Sequence, residues 1–311
     1  MENHLHQTHS ASANSGPVSD ALSGDSSPAG ANLVKPPIPR YLSRLSKDHL
    51  AILGFYPLTA ILGSLVQVIS PPGPSYFSSK RNLLNLVFVK HGGWVWVTAL
   101  TLLYLLGGPA VGGISAASAT KKRTVALRFV AVTVWWFLFS QWCFGLPLMD
   151  KVFVLTGGGC APVPGTMSAS AAATGTLSAV ATSAACRSQG GAWVGGIDPS
   201  GHMFLLSLAS FFIWFDILLP NISSSFNTSS TTTTASSSSS IEANEKRPYS
   251  LVTKFAFFLV VIYWWMVLMT NVYSFHTTFE RFAGITWSYL GIVLIYFVAP
   301  TFPALHGILY E

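Results

Sequence analysis

Six apolar runs of about twenty residues each, near 49–69, 91–110, 124–145, 202–219, 250–270 and 284–305, constrain this 311-residue chain more than anything else in it. A helix needs about 20 such residues to cross the hydrocarbon of a bilayer. Only 9% of the residues are charged, against roughly a quarter in soluble domains. The deficit therefore belongs to the whole molecule and not to one buried helix. The sequence predicts an all-α, polytopic membrane protein with six transmembrane helices. Trp and Tyr near many run ends suit interfacial belts. The first forty or so residues are polar, without the apolar stretch of a cleavable signal, so the first span is expected to act as the targeting signal.

Residues 1–40 read as a disordered cytosolic tail, too poor in large apolar side chains to pack. His4, His6 and His9 in it read as solvated. Residues 41–311 form the six-span membrane domain. It is interrupted by an Ala/Ser/Thr/Gly-rich insertion at about 161–184 and a serine-rich cytosolic loop at 221–248 that is also expected to be disordered. Orientation comes from the cations. With the N-terminus in the cytosol, eleven Lys and Arg fall on the cytosolic side and six on the other, and the positive-inside rule favours that placement of both termini. Arg128 and Lys254 sit just inside their spans, with side chains long enough to snorkel to the cytosolic surface. The net charge of +6 thus reports topology and not nucleic-acid binding. Asn221 and Asn227 match glycosylation sequons that a cytosolic loop would leave unmodified. Cys160 and Cys186 share one loop and can pair if that loop is in an oxidising compartment, while Cys143 reads as a small apolar helix residue.

Two histidines stand out against this background. His202, in "GIDPSGHMFLL", opens the fourth span, and His276, in "TNVYSFHTTFERF", closes the fifth. Two crossings separate them, so they share one membrane face whichever way the protein is inserted. A histidine pair on one face suits phosphoryl transfer: one imidazole attacks phosphorus, and the other protonates the leaving oxygen. Glu280 follows His276 by four residues, the spacing that lets a helical carboxylate orient an imidazole. Arg281 is a candidate phosphate clamp. Ser200 is placed to cap the fourth span, and the amides after Gly201 point at an incoming anion. No third strong ligand recurs at helical spacing, so no metal and no cofactor is expected. His49, His91 and His306 read as structural or interfacial.

The stretch "PSGH" at 199–202 is similar to a signature of the type 2 phosphatidic acid phosphatase superfamily, although its lysine…arginine-proline signature has no counterpart here. A narrower resemblance rests on "YFSSKRNLLNLVFVK" at 76–90, "CRSQGGAWVGGIDPSGHMFLL" at 186–207 and "SFHTTFERFAG" at 274–284. These resemble the fat storage-inducing transmembrane (FIT) family, including its fungal inositol-phospholipid-synthesis branch. The resemblance implies a six-span protein of the endoplasmic reticulum with a lumenal active site. It also implies a fatty acyl-CoA diphosphatase that yields acyl 4′-phosphopantetheine and adenosine 3′,5′-bisphosphate and supports lipid droplet formation, phospholipid biosynthesis and lipid balance. His202 and His276 match the catalytic histidines. By analogy with the superfamily, His276 is the nucleophile and His202 the acid, and no metal is required. Lys80 and Arg81 lie on the same face as candidate phosphate-binding cations. The alternative reading is a non-enzymatic protein that binds diacylglycerol or triacylglycerol and partitions neutral lipid into droplets. A transporter is disfavoured, since no charge pair is expected inside the spans.

Overall fold

The computed structural model describes residues 46–79, 81–115, 118–141, 147–163, 182–223, 250–273 and 276–309. The tail, Lys80, Cys143 and most of both low-complexity segments lie outside them. Five helices are long and apolar enough to cross a membrane: α1 (Lys47–Ile69), α4 (Ala119–Ser140), α7 (Gly201–Ser223), α8 (Leu251–Val272) and α9 (Thr278–Thr301). A sixth span is a broken one, α2 (Leu83–Lys90) followed by α3 (Gly93–Leu106), bent by 60°.

The break was not legible as an apolar run. The expected second span at 91–110 begins instead at Gly93, and the preceding turns peel away toward the histidine end. Two features force the bend. Residues Leu86–Lys90 wind as a π-helix, and a Cβ at Gly92 would lie 1.9 Å from the Val87 carbonyl oxygen and 2.4 Å from the Trp96 ring nitrogen. Only a residue without a side chain fits there, at a π-bulge of the kind that kinks helices.

α7 is the central helix. Every residue from Met203 to Ile213 is buried, and α7 packs against α1, α3, α4, α8 and α9. A helix that is apolar all round belongs inside a bundle, and "MFLLSLASFFI" is such a sequence. Small residues permit the close approaches, as is usual between membrane helices. A Cβ on Gly93 would meet Leu205 at 2.6 Å, and one on Gly284 would meet the Ser200 carbonyl oxygen at 2.4 Å. Deeper in the same seam, Ser207 and Ser288 share a hydrogen bond of 2.7 Å.

The segment before α7 folds into a small cap. It comprises α5 (Leu148–Leu155), an antiparallel pair β1 (Gly159–Pro162) and β2 (Gly191–Val194), and α6 (Ser183–Ser188). A disulfide joins Cys160 to Cys186, the pairing left open by the sequence. Trp193 stacks on Phe153 with ring centroids 4.4 Å apart.

One expectation about charge fails. Arg128 does not snorkel to the surface. It makes a 3.0 Å salt bridge to Asp216, buried in α7, and the Tyr296 hydroxyl donates to the same carboxylate. A charge pair therefore does sit inside the spans. The partners are 88 residues apart in sequence, a separation across which helical periodicity carries no information.

Candidate active site

His202 occupies the first turn of α7, in the geometry its flanking residues dictate. Ser200 takes extended backbone as the N-cap, and its hydroxyl accepts from the Met203 amide at 3.5 Å. This is the cap expected from the sequence. Gly201 follows as the first helical residue. The imidazole Nε2 lies 2.6 Å from Oδ1 of Asn85.

Asn85 comes from the bent α2 and is buried, its own amide donating to Oδ1 of Asn82 at 2.7 Å. The broken span therefore delivers a polar side chain to His202. Sequence reasoning missed Asn85, although it lies within the "SKRNLLN" stretch. Two asparagines spaced to share one turn at the head of an apolar run were the available signal.

His276 sits just ahead of α9. Its Nδ1 is 3.5 Å from Oε2 of Glu280, with both side chains mostly covered. Glu280 does more than its four-residue spacing implied. Its Oε2 accepts from the Thr277 amide at 2.8 Å, while the Thr277 hydroxyl accepts from the Glu280 amide, forming a capping box. Its Oε1 accepts from the Asp198 amide at 3.4 Å, and its carbonyl accepts from the Ser200 amide at 2.9 Å. One residue thereby touches the His276 ring, caps the helix that follows that ring, and docks the loop that leads into His202. The bare Cα of Gly284, one turn on, allows that docking, because any side chain there would strike Ser200.

Arg281 is a correction. It is 1% exposed, and its guanidinium donates to the Asn271 carbonyl, to Gln67 Oε1 at 2.9 Å and to Thr278 Oγ1 at 2.8 Å. It closes the C-terminal turn of α8, as cations near helix C-termini do, and ties that turn to α1 and α9. Arg281, expected as a phosphate clamp, is thus engaged inside the bundle, where it ties α8 to α1 and α9. Arg81 is exposed on the turn leading into α2, one residue before Asn82, while Lys80 lies outside the described residues. A small cavity of about 20 Å³ adjoins His202, lined by Asn82, Asn85, Met269 and Thr270 among others. That is room for about one water molecule.

The arrangement can hold a neutral imidazole with Nδ1–H toward a carboxylate, which leaves Nε2 as a nucleophile. The segment leading into a second imidazole docks on the same carboxylate-bearing residue, and that imidazole stands at the N-terminus of a helix, which favours negative charge. Such a bundle defines a multi-pass membrane protein in which the segments carrying His202 and His276 are joined through Glu280. The chain belongs to the fat storage-inducing transmembrane protein family, whose model matches residues 73–296. It is 29% identical over 272 residues to the acyl-coenzyme A diphosphatase fit1 of Schizosaccharomyces pombe, covering 86% of this chain and 91% of that one. It is 27% identical to the acyl-coenzyme A diphosphatase FITM2 of Xenopus laevis over 270 residues, covering 86% and 89%. With the acyl-coenzyme A diphosphatase SCS3 of Saccharomyces cerevisiae it shares 27% identity over half of this chain and 61% of that one. No solved structure matches.

Proposed function

We propose that this protein is a fatty acyl-CoA diphosphatase of the endoplasmic reticulum membrane, working through His276 and His202 without a metal. The activity for which the relatives are named supports the substrate class. The observation that carries the mechanism is the Glu280 junction, which couples both histidine segments. Nε2 of His276 attacks a phosphorus of the diphosphate, and the bridging P–O bond breaks. His202 gives a proton to the departing oxygen. Water then attacks the phosphohistidine, passing its proton to His202 and releasing the second phosphate product. The products are acyl 4′-phosphopantetheine and adenosine 3′,5′-bisphosphate. Glu280 holds the His276 tautomer and offsets the positive charge that grows on its ring. Asn85 fixes the plane of His202, and Arg81 stands at the mouth to offset substrate charge.

The acyl chain stays among the apolar helix faces, where diacylglycerol and triacylglycerol of the same membrane also have access. A lumenal site with both termini cytosolic is supported by the positive-inside count and by the disulfide, which closes the cap leading directly into Asp198 and His202. Such bonds persist in oxidising compartments.

The test is hydrolysis of oleoyl-CoA by the purified protein in excess chelator. Activity should vanish in His276→Ala and fall by ~10²–10⁴-fold in His202→Ala, the range for a lost general acid. Wild-type rates in both variants would remove the enzyme reading, and restored droplet formation by both would leave neutral-lipid binding in its place. A sequon engineered beside His276 should be glycosylated, and modification of Asn227 instead would invert the topology.

A further inference from the structure

The end of the bundle opposite the histidines holds a larger cavity, about 480 Å³, between α4 and the C-terminal half of α7. Asp216 in its wall is fourteen residues from His202 along α7, about 20 Å of helix. The cavity is therefore separate from the proposed active site. Its polar lining is cationic and hydroxylic: Lys121, Arg128, Thr120 and Thr124. Val125 and Phe215 supply an apolar wall. The one carboxylate in the lining, Asp216, is 1% exposed in its side chain and is held by Arg128 and by the Tyr296 hydroxyl, while the Arg128 side chain is 17% exposed. The charge presented to the cavity is consequently positive. The N-terminus of α4 adds to it, since this 22-residue helix has no side-chain cap and no acidic residue in its first turn. Its leading amides and helix dipole favour an anion at that point. A guanidinium, an ammonium and hydroxyls beside an apolar wall match a phosphate that carries acyl chains.

We propose that this cavity binds the headgroup phosphate of an anionic phospholipid at the membrane face opposite the histidines. The lipid ties α4 to α7 through Lys121 and the outer edge of Arg128, with its chains along Val125 and Phe215. The proposal stands independently of the catalytic reading.

The full-length protein in detergent is titrated with dioleoyl phosphatidylglycerol, with dioleoyl phosphatidylcholine and inorganic phosphate as separate arms, and affinity is read by thermophoresis. Phosphatidylglycerol should saturate one site and outcompete the zwitterionic lipid. Lys121→Ala should weaken it about fivefold and Lys121→Glu about 30-fold, at roughly one charge interaction per unit charge changed. Both variants should keep wild-type melting temperature without lipid and wild-type hydrolysis of oleoyl-CoA. Thr124→Leu, which fills the cavity while leaving charge unchanged, should also weaken binding. Equal affinity for the two lipids overturns the proposal. So does unchanged affinity in both Lys121 variants, or competition by inorganic phosphate as strong as by the lipid.

Discussion

Glu280→Gln separates the two jobs that one carboxylate performs. Glutamine can still accept from the Thr277 amide, since Glu and Gln serve alike at the third position of a capping box. Glutamine has one acceptor oxygen where Glu280 uses two, so with the Thr277 bond kept, the 3.4 Å contact from the Asp198 amide is lost together with the charge 3.5 Å from His276 Nδ1. At that distance a full ion pair is worth about 1.2 kcal/mol with water-like screening and about 4.7 kcal/mol at an effective dielectric of 20. The side chains are 15% and 18% exposed, which places the pair between these limits, and residual solvent screening favours the lower half. We take about 2 kcal/mol, or roughly a 30-fold fall in kcat. KM is expected to stay within a factor of about two, because the lost interaction strengthens only as positive charge develops on the ring. Stability should fall by only about 1 kcal/mol, for the lost Asp198 hydrogen bond. Glu280→Ala removes the side-chain half of the capping box as well, at a further cost of about 1 kcal/mol in stability. The assay is steady-state hydrolysis of oleoyl-CoA beside thermal unfolding for wild type and both variants. Wild-type kcat in Glu280→Gln refutes the orienting role. A fall in kcat matched by a fall in melting temperature as large as that of Glu280→Ala refutes it too, since the residue would then be purely structural.

The remaining predictions test the scaffold. Gly284→Ala drives a Cβ to 2.4 Å from the Ser200 carbonyl, so α7 and α9 must part; the expected cost is about 1–3 kcal/mol, with turnover down about 10²-fold as the histidine segments separate. Gly54→Ala is its control, with nothing within 4 Å, and should raise thermal stability slightly through helix propensity. Cys160→Ser opens a closed loop whose ends are 26 residues apart and should destabilise the cap by about 3 kcal/mol, seen as protease sensitivity between residues 147 and 200 and reproduced in wild type by reductant. Burial pushes the Asp150 carboxyl above its ordinary value of 3.8, with Asp198 adding to the rise and the Ser183 hydrogen bonds opposing it. A raised folded value means the protonated form is favoured by the fold, so this contribution is complete below about pH 4 and is lost as pH rises through the folded value. Asp150→Asn should therefore be more stable than wild type at pH 7, with the gap closing toward pH 4 in thermal scans; a constant gap would refute the reasoning.

The bundle itself was legible in the chain. Hydrophobic length counts residues against bilayer thickness, a one-dimensional quantity, and α1, α4, α7, α8 and α9 lie within a few residues of the runs that announce them. What hydropathy could not register is a change of direction. The second span is broken because glycine at 92 and a π-turn before it let Leu83–Lys90 fold away from α3, and none of that lowers the mean hydropathy of the stretch. The consequence reaches the candidate site, because the displaced turns carry Asn85 to His202.

The site divides along the same line. Contacts local in sequence were legible: Ser200 capping α7 and Glu280 one turn after His276. Contacts made across helices were not. Arg281 looked like a phosphate ligand because it adjoins Glu280, yet on a helix neighbours in sequence point about 100° apart. If Glu280 faces the histidines, Arg281 must face elsewhere, and it turns inward to the frayed end of α8 and to Gln67 of α1. Arg128 was misplaced for the complementary reason. A lone cation near a span end has two outlets, water or a buried carboxylate, and only the packing of α4 against α7 brings Asp216 within 3.0 Å. The 100° step of a single helix is enough to turn Arg281 inward toward α8 and α1. No argument from one helix could have found the partner of Arg128, since the energy that holds a cation among apolar spans resides in a group on another helix.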